Sequence, residues 1–460
     1  MTRKYIPFAL LFSALFVFAS CLKDEDEQIT YYEDTAITSF RVGTLKQRID
    51  TVTAAGKDTS YTTTVDCSGY KFYIDHTNRQ IYNADSLPYG INAAKVVCTI
   101  ASKNSGSIVY KSLTSDSLAL YRSADSINFE QPREFRAYSN SGANFRAYTV
   151  KVNVHRQKGH LFVWSPVTTD ARLGALEAMQ AVAAGGSLYV FGLRGGTTHV
   201  YKRATTAGAG WQETATSVAL DANAYKSAIV RGNTLYTYSG GKVLRSADGT
   251  SWTAVAQPSL RQLTGATQDR LYALSADNRI MSSADGTSWQ ADAMEGSAAQ
   301  LPTGNVRLLA LPLSTNDGSQ LVLTGTTATD ARVWGKIQEA DGSQPWTYYA
   351  TGTENKLALP NLANLQTAVY GGRLLAIGGN GMGHTTAEAF AQFYESNDGG
   401  ITWKKGSIAL PPSFASSATS FAMTVDADQF LWLVCGQSGQ VWRGRLNRLG
   451  WQNPQKVFTE

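Results

Sequence analysis

Ser396-Asn397-Asp398-Gly399-Gly400-Ile401-Thr402-Trp403 is the stretch that decides how this chain is read. An Asp in such a turn accepts hydrogen bonds from the backbone N–H groups that follow it. A Gly supplies left-handed backbone, and a Trp packs beneath the hairpin. Two versions one residue shorter stand upstream, Ser246-Ala247-Asp248-Gly249-Thr250-Ser251-Trp252 and Ser283-Ala284-Asp285-Gly286-Thr287-Ser288-Trp289. Asp341-Gly342 before Trp346 is a partial copy. These carboxylates look catalytic in isolation, but Asp-Gly turns are local backbone devices. Asp248, Asp285 and Asp398, with Trp252, Trp289 and Trp403, are therefore assigned structural roles.

The turns punctuate a longer repeat. Each copy has a continuous aliphatic and aromatic strand, at 188–192, 235–238, 271–274, 321–325, 374–378 and 431–436. An alternating strand follows, at 200–203, 243–246, 280–283, 333–336, 393–396 and 441–444. Each copy closes on a Trp: Trp211, Trp252, Trp289, Trp346, Trp403 and Trp451, spaced by 41, 37, 57, 57 and 48 residues. Such spacings suit four-stranded propeller blades with variable loops. A blade cannot bury both faces alone, and a ring of blades can. The fold class is all-β, with a six-bladed β-propeller over 158–460. The strand Leu161-Phe162-Val163-Trp164 closes the ring against the last copy; if it belongs instead to a degenerate extra blade, the count is seven.

The turn at 396–403 resembles the Asp-box pattern S-x-D-x-G-x-x-W throughout. Asp-box (BNR-repeat) propellers are best known from sialidases, so the resemblance implies a test. Sialidase-like catalysis needs an arginine triad, a Tyr–Glu nucleophile pair and an acid. The Arg-Ile-Pro tripeptide usual near the first blade is absent here. Arg194, Arg231, Arg261, Arg270, Arg307 and Arg373 form no recognisable pattern. Tyr394 and Glu395 are neighbours on a strand and face opposite sides. Asp221, Asp330, Glu354, Glu388 and Asp426 are the acids that could lie in loops outside the turns. The reading leans away from an enzyme.

Residues 30–157 read as a small all-β domain. The segment 148–155 alternates apolar and polar residues, which puts one face in a core. Further strands are expected at 70–74, 96–100 and 107–113, with a turn at 139–142. Ser123-Ala124-Asp125-Ser126-Ile127-Asn128-Phe129 echoes the Asp turn without its Gly or Trp, and is read as coincidence. The segment 81–90 together with the closing strand resembles the immunoglobulin-like N-terminal domain of Bacteroidetes lipoproteins. That implies a sandwich acting as a stalk and brings no activity with it.

The start of the chain carries an address. Arg3 and Lys4 precede an apolar run, 6–18, then Ala19, Ser20 and Cys21. Residues 1–20 read as an export signal, too short for a comfortable membrane span. Small residues directly before Cys21 resemble a bacterial lipobox, with Phe18 where Leu is usual. The resemblance implies cleavage before Cys21, acylation of that Cys and a lipid anchor in a membrane. The acidic tether 21–29 resembles the surface-export tag of Bacteroidetes-type lipoproteins, which implies an outer-membrane protein facing the cell exterior. Cys67 and Cys98 fall in one domain of an exported chain, so a disulfide and two buried thiols are both open. Cys435 reads as a buried strand residue.

Net charge is +5, two of it from Arg3 and Lys4, with no basic cluster elsewhere, so no nucleic-acid partner is expected. No C-x-x-C, H-E-x-x-H or Asp-rich calcium loop occurs, and no metal or cofactor is assigned. Two Gly-rich loops are the candidate binding positions: 192–199, with Arg194 and His199, and 378–386, with Asn380 and His384. The functional expectation is a non-catalytic surface lipoprotein offering its propeller to a glycan, peptide or protein. The competing expectations are a sialidase-like glycoside hydrolase and a structural subunit of an outer-membrane complex.

Overall fold

The computed structural model describes residues 31–313, 315–339, 344–350 and 355–451. The export signal, Cys21, the whole tether, Asp341-Gly342 and Glu354 lie outside them. The described chain forms two compact units, 31–158 and 159–451.

In the first unit, Ile37–Val42, Val96–Ser102 and Ser126–Ile127 make a three-stranded sheet. A six-stranded sheet runs Phe72–Asp75, Gln80–Asn83, Phe145–Lys151, Arg133–Tyr138, Ile108–Lys111, Leu118–Leu120. Both feed one core: Phe40 and Cys98 come from the first sheet, Phe135, Tyr148 and Val150 from the second. Alternation along 148–152 is visible as burial, with Tyr148, Val150 and Val152 inside and Thr149 and Lys151 outside. The echo of the Asp turn has its own task. Ser126–Ile127 is an edge strand and Phe129 stacks on Phe135 at 5.9 Å. Cys67 and Cys98 are free thiols in this core, so of the two readings left open it is buried thiols, not a bond, that describe the structure. Burial pushes the Cys98 thiol up to about 12, which keeps it protonated and inert.

The second unit contains six sheets, each antiparallel in its main strands. Their innermost strands are Ala178–Ala184, Ile229–Arg231, Leu260–Ala266, Gly304–Pro312, Gln366–Tyr370 and Phe421–Val425. These touch their neighbours in cyclic order, the last against the first. The sixth sheet takes its outermost strand from the other end of the unit: Phe162–Thr169 pairs with Gln440–Leu446. Among the described residues no seventh sheet exists in this unit.

The long apolar runs are the second strands, which are buried on both faces. Leu188 and Val190 pack toward the sixth sheet, with Trp432 and Val434, while Tyr189 and Phe191 pack toward the second, with Leu235 and Trp252. Trp451 departs from the pattern. It is 36% exposed, whereas Trp211, Trp252, Trp346 and Trp403 are buried. The reason is the closure: the sixth sheet's fourth strand comes from 162–169, so no third-to-fourth turn follows Gln440–Leu446 for Trp451 to close.

The three Ser-to-Trp turns share one geometry. Asp248 Oδ1 accepts from the N–H groups of Thr250 (2.8 Å) and Ser251 (3.0 Å), and Trp252 Nε1 donates to Gly249 O (2.9 Å). Asp285 accepts from Thr287 and Ser288, with Trp289 on Gly286 O. Asp398 accepts from Thr402, with Trp403 on Gly400 O. The Ser hydroxyl of each turn accepts from the Gly N–H. The N–H groups of Ser251 and Thr250 hold the Asp248 carboxyl below the ordinary carboxylate range. A folded-state pKa lower than the unfolded one stabilises the fold above the unfolded value, about 3.9, and that stabilisation is lost as pH falls through the folded pKa. Asp248→Ala is expected to cost about 1 kcal/mol at neutral pH, allowing for solvent screening. Urea unfolding read against pH should show the gap to the unsubstituted protein narrowing as pH falls below the unfolded value, about 3.9; a gap constant with pH would refute the assignment.

Candidate functional site

The innermost strands all start on one face of the ring. Strands alternate in direction, so the Asp turns, which join third strands to fourth, lie on the opposite face. At the face where the innermost strands begin, a cavity of about 470 Å³ opens on the ring axis. Every sheet contributes to its wall: Gln180 from the first, Tyr225 and Lys226 ahead of the second, Arg261 and Gln262 from the third, Asn305 and Arg307 from the fourth, Gln366 from the fifth, Thr419 ahead of the sixth. Further along the same strands a smaller space of about 270 Å³ is lined by 180–182, 228–230, 264–266, 307–309, 367–369 and 423–425. Arg307 borders both spaces.

The cations are confined to one half of the wall, sheets two to four. Lys226 lies in the short 3-10 turn Ala224–Ser227, and its Nζ donates to Asn223 Oδ1 at 2.9 Å. Arg261 is a strut: Nη1 donates to Asn278 Oδ1 (2.9 Å) and Nη2 to Pro302 O (2.6 Å), while its Nε is buried with no partner. Arg307 Nη1 reaches past the third sheet to Lys226 O at 3.0 Å. Protein surrounds Arg307 although its side chain still borders the cavity. That desolvation pulls its pKa down to about 10, which leaves it charged at neutral pH. No carboxylate lines the cavity, and among the described residues none of the three cations has an ion-pair partner. The other half of the wall is neutral. Gln366 Nε2 donates to Asn364 Oδ1 (3.2 Å), and Asn364 Nδ2 to Phe421 O (3.1 Å). Asn305 and Asn364 take left-handed backbone, at φ 50° and 47°, which Asn tolerates better than most residues.

The loop residues singled out from sequence lie elsewhere. Arg194 and His199 converge on Glu213 Oε1, at 2.9 and 2.8 Å. His199 hydrogen bonding, ahead of the Arg194 charge, offsets desolvation and holds Glu213 below the ordinary range. His384 Nδ1 meets Asp330 Oδ1 at 3.0 Å, and Asn380 Oδ1 accepts from Ala389 N–H. These are two separate clusters, each internally satisfied, and none of the four residues lines the cavity. The catalytic set sought in the sequence does not assemble there: the cavity has two arginines, a lysine and Tyr225, without a carboxyl group. Glu395 is instead paired with Arg373, and Asp426 accepts from Trp432 Nε1. Sequence reasoning noted Arg261 and Arg307 only among scattered arginines, and it missed Lys226 and the glutamines. The signal available was a polar residue at the start of each innermost strand, one strand before the runs used for alignment.

Residues 158–454 match the family model described as the DUF6242 beta propeller domain. The chain belongs to this family. Residues 40–152 match the family's other part, the Domain of unknown function (DUF6242) N-terminal domain. Curated proteins give no sequence match. Among solved structures the chain is similar to a gluconolactonase from Xanthomonas campestris, at 14% identity and TM-score 0.35, over 62% of this chain and 95% of that one. It is similar to a carbohydrate-active family AA12 enzyme from Trichoderma reesei, at 13% and 0.34, over 62% and 96%. It is also similar to the Aleuria aurantia lectin solved with Fucalpha1-6GlcNAc, at 14% and 0.27, over 58% and 91%.

The strut role of Arg261 is testable apart from any ligand. Arg261→Met removes the partner of the buried Pro302 carbonyl, and should cost about 1–3 kcal/mol in denaturant unfolding. A loss under about 0.5 kcal/mol would show that the two bonds hold nothing together.

Proposed function

We propose that this protein is a surface lipoprotein that binds a ligand at the axial mouth of a six-bladed propeller and does not transform it. The single observation carrying the proposal is the wall itself: an axial cavity built from all six sheets by amides, one Tyr and three cations. Its size falls within the usual range of small-molecule pockets, about 300–1,000 Å³. Two-carboxylate glycoside hydrolysis needs an acid and a second carboxyl at the bond cleaved, and this wall supplies hydrogen-bond donors and positive charge instead.

The six sheets are read as the six blades, and the Ser-to-Trp turns, which support backbone on the far face, as Asp-boxes. The two sheets sharing one core in 31–158 suit an immunoglobulin-like sandwich. The membrane address rests on Cys21 and its small neighbours, and the surface location on the acidic tether.

Two measurements test these parts separately. Cys21→Ser should move the protein from the membrane fraction to the soluble one, and protease shaving of intact cells should degrade the lipidated form. Membrane retention of the Cys21→Ser protein would end the anchor reading. For the mouth, pull-down from native membranes combined with a glycan array should find a ligand that Thr303→Trp, which fills the cavity, no longer binds. A ligand still held by Thr303→Trp would move the site elsewhere.

A further inference from the structure

We propose that the mouth is an oriented site for a carboxylated oligosaccharide, its carboxylate held by Arg307 and Lys226 and its hydroxyls by the amides of the opposite half. The inference rests on the reading of the mouth as a binding site and adds the ligand's class and direction.

Charge and unused donors at the mouth both point to an anion. Lys226, Arg261 and Arg307 gather on sheets two to four with no carboxylate on the wall, so the cavity holds an uncompensated positive field. Low-dielectric walls focus such a field on whatever enters. Arg307 spends Nη1 on Lys226 O, and among the described residues its Nε and Nη2 have no protein acceptor. Two guanidinium N–H groups match the two oxygens of a carboxylate. Lys226 is exposed beside it, and its ammonium has three donors, one of them used on Asn223. Arg261 spends both terminal nitrogens on protein and contributes charge, not contact.

The rest of the wall is rich in amides: Gln180, Asn364 and Gln366 line the half opposite the cations, and Asn223, Gln262 and Asn305 stand beside the cations. Gln180, Gln262, Asn305, Asn364 and Gln366 each donate one bond to protein, and an amide has further donor and acceptor capacity for the hydroxyls of a polyhydroxylated ligand. Tyr225 also lines the space, with Lys226 Nζ 5.8 Å from its ring centroid. A peptide would ask for apolar subpockets, but the apolar lining side chains Met179, Val306 and Leu365 are buried within the ring.

The test uses the full chain and calorimetry with three probes: trigalacturonate, its methyl ester and hexaglutamate. Expected is binding of trigalacturonate, about tenfold or more weaker binding of the ester, and loss of affinity between about 50 and 500 mM salt. Arg307→Met should remove about tenfold or more of the trigalacturonate affinity and little of the ester's. Arg307→Lys, which keeps the charge but loses the planar fork, should fall between, and it stands in if the Met variant fails to fold. Gln366→Leu should weaken acid and ester alike. Equal binding of acid and ester overturns the anion assignment, while the mouth survives as a site if Thr303→Trp abolishes both. Binding of hexaglutamate alone, or of no probe, overturns the proposal. Binding that persists in Thr303→Trp overturns the reading of the mouth beneath it.

Discussion

Ring closure is the constraint on which the second unit depends. Each sheet's second strand is apolar on both sides, so every sheet needs two neighbours. The buried clusters show how this is met: each of the six joins two adjacent sheets, and the cluster of Leu173, Leu188 and Tyr201 with Trp432 and Val441 joins the first to the sixth. The hydrogen bonds of Phe162–Thr169 to Gln440–Leu446 tie the two ends of the unit. Without them the sixth sheet loses its outer strand, and Tyr370, whose hydroxyl accepts from Leu446 N–H, loses the end of the strand it braces. Closure is long-range in sequence, so the entropy of bringing the two ends together is offset only by the contacts they make.

This division of labour explains what could be read from the sequence. The second strands were legible because burial on both faces demands continuous apolar residues, as in Leu271–Ser275 and Leu431–Cys435. The turns were legible because Asp, Gly and Trp each have a fixed local task. The innermost strands were not. They crowd around the axis, where backbones approach closely and small residues are needed: a Cβ on Gly265 would stand 2.7 Å from Leu308 O. Ala181, Gly265 and Ala368 carry no periodic signal, and the glutamines among them look like ordinary surface residues. Trp451 shows the converse error, a residue placed by spacing whose sheet had already been completed from the other end. The candidate loops failed for a related reason. Arg194, His199 and His384 are conspicuous by type, yet each meets a carboxylate of its own neighbourhood.

How the fold treats charge elsewhere is what gives the mouth its meaning. Lys336, almost fully buried, is paired with Asp292 at 2.7 Å, and that carboxylate also takes Trp346 Nε1. Arg373 is paired with Glu395. Arg203, buried without a carboxylate, lies between the rings of Trp211 and Trp432, at 5.7 and 5.2 Å. A cation taken out of water is costly unless something answers its charge. Arg261 and Arg307, both partly buried, have neither a carboxylate nor an aromatic face among the described residues, and both border one cavity. Desolvation works against each charge, and only carbonyl and amide oxygens answer it. Stability alone would favour a nearby Asp or Glu, as at Lys336, and the amide-rich wall has positions for one. Leaving the positive field open costs the free protein stability, and the anionic ligand proposed for the mouth would supply the compensating charge.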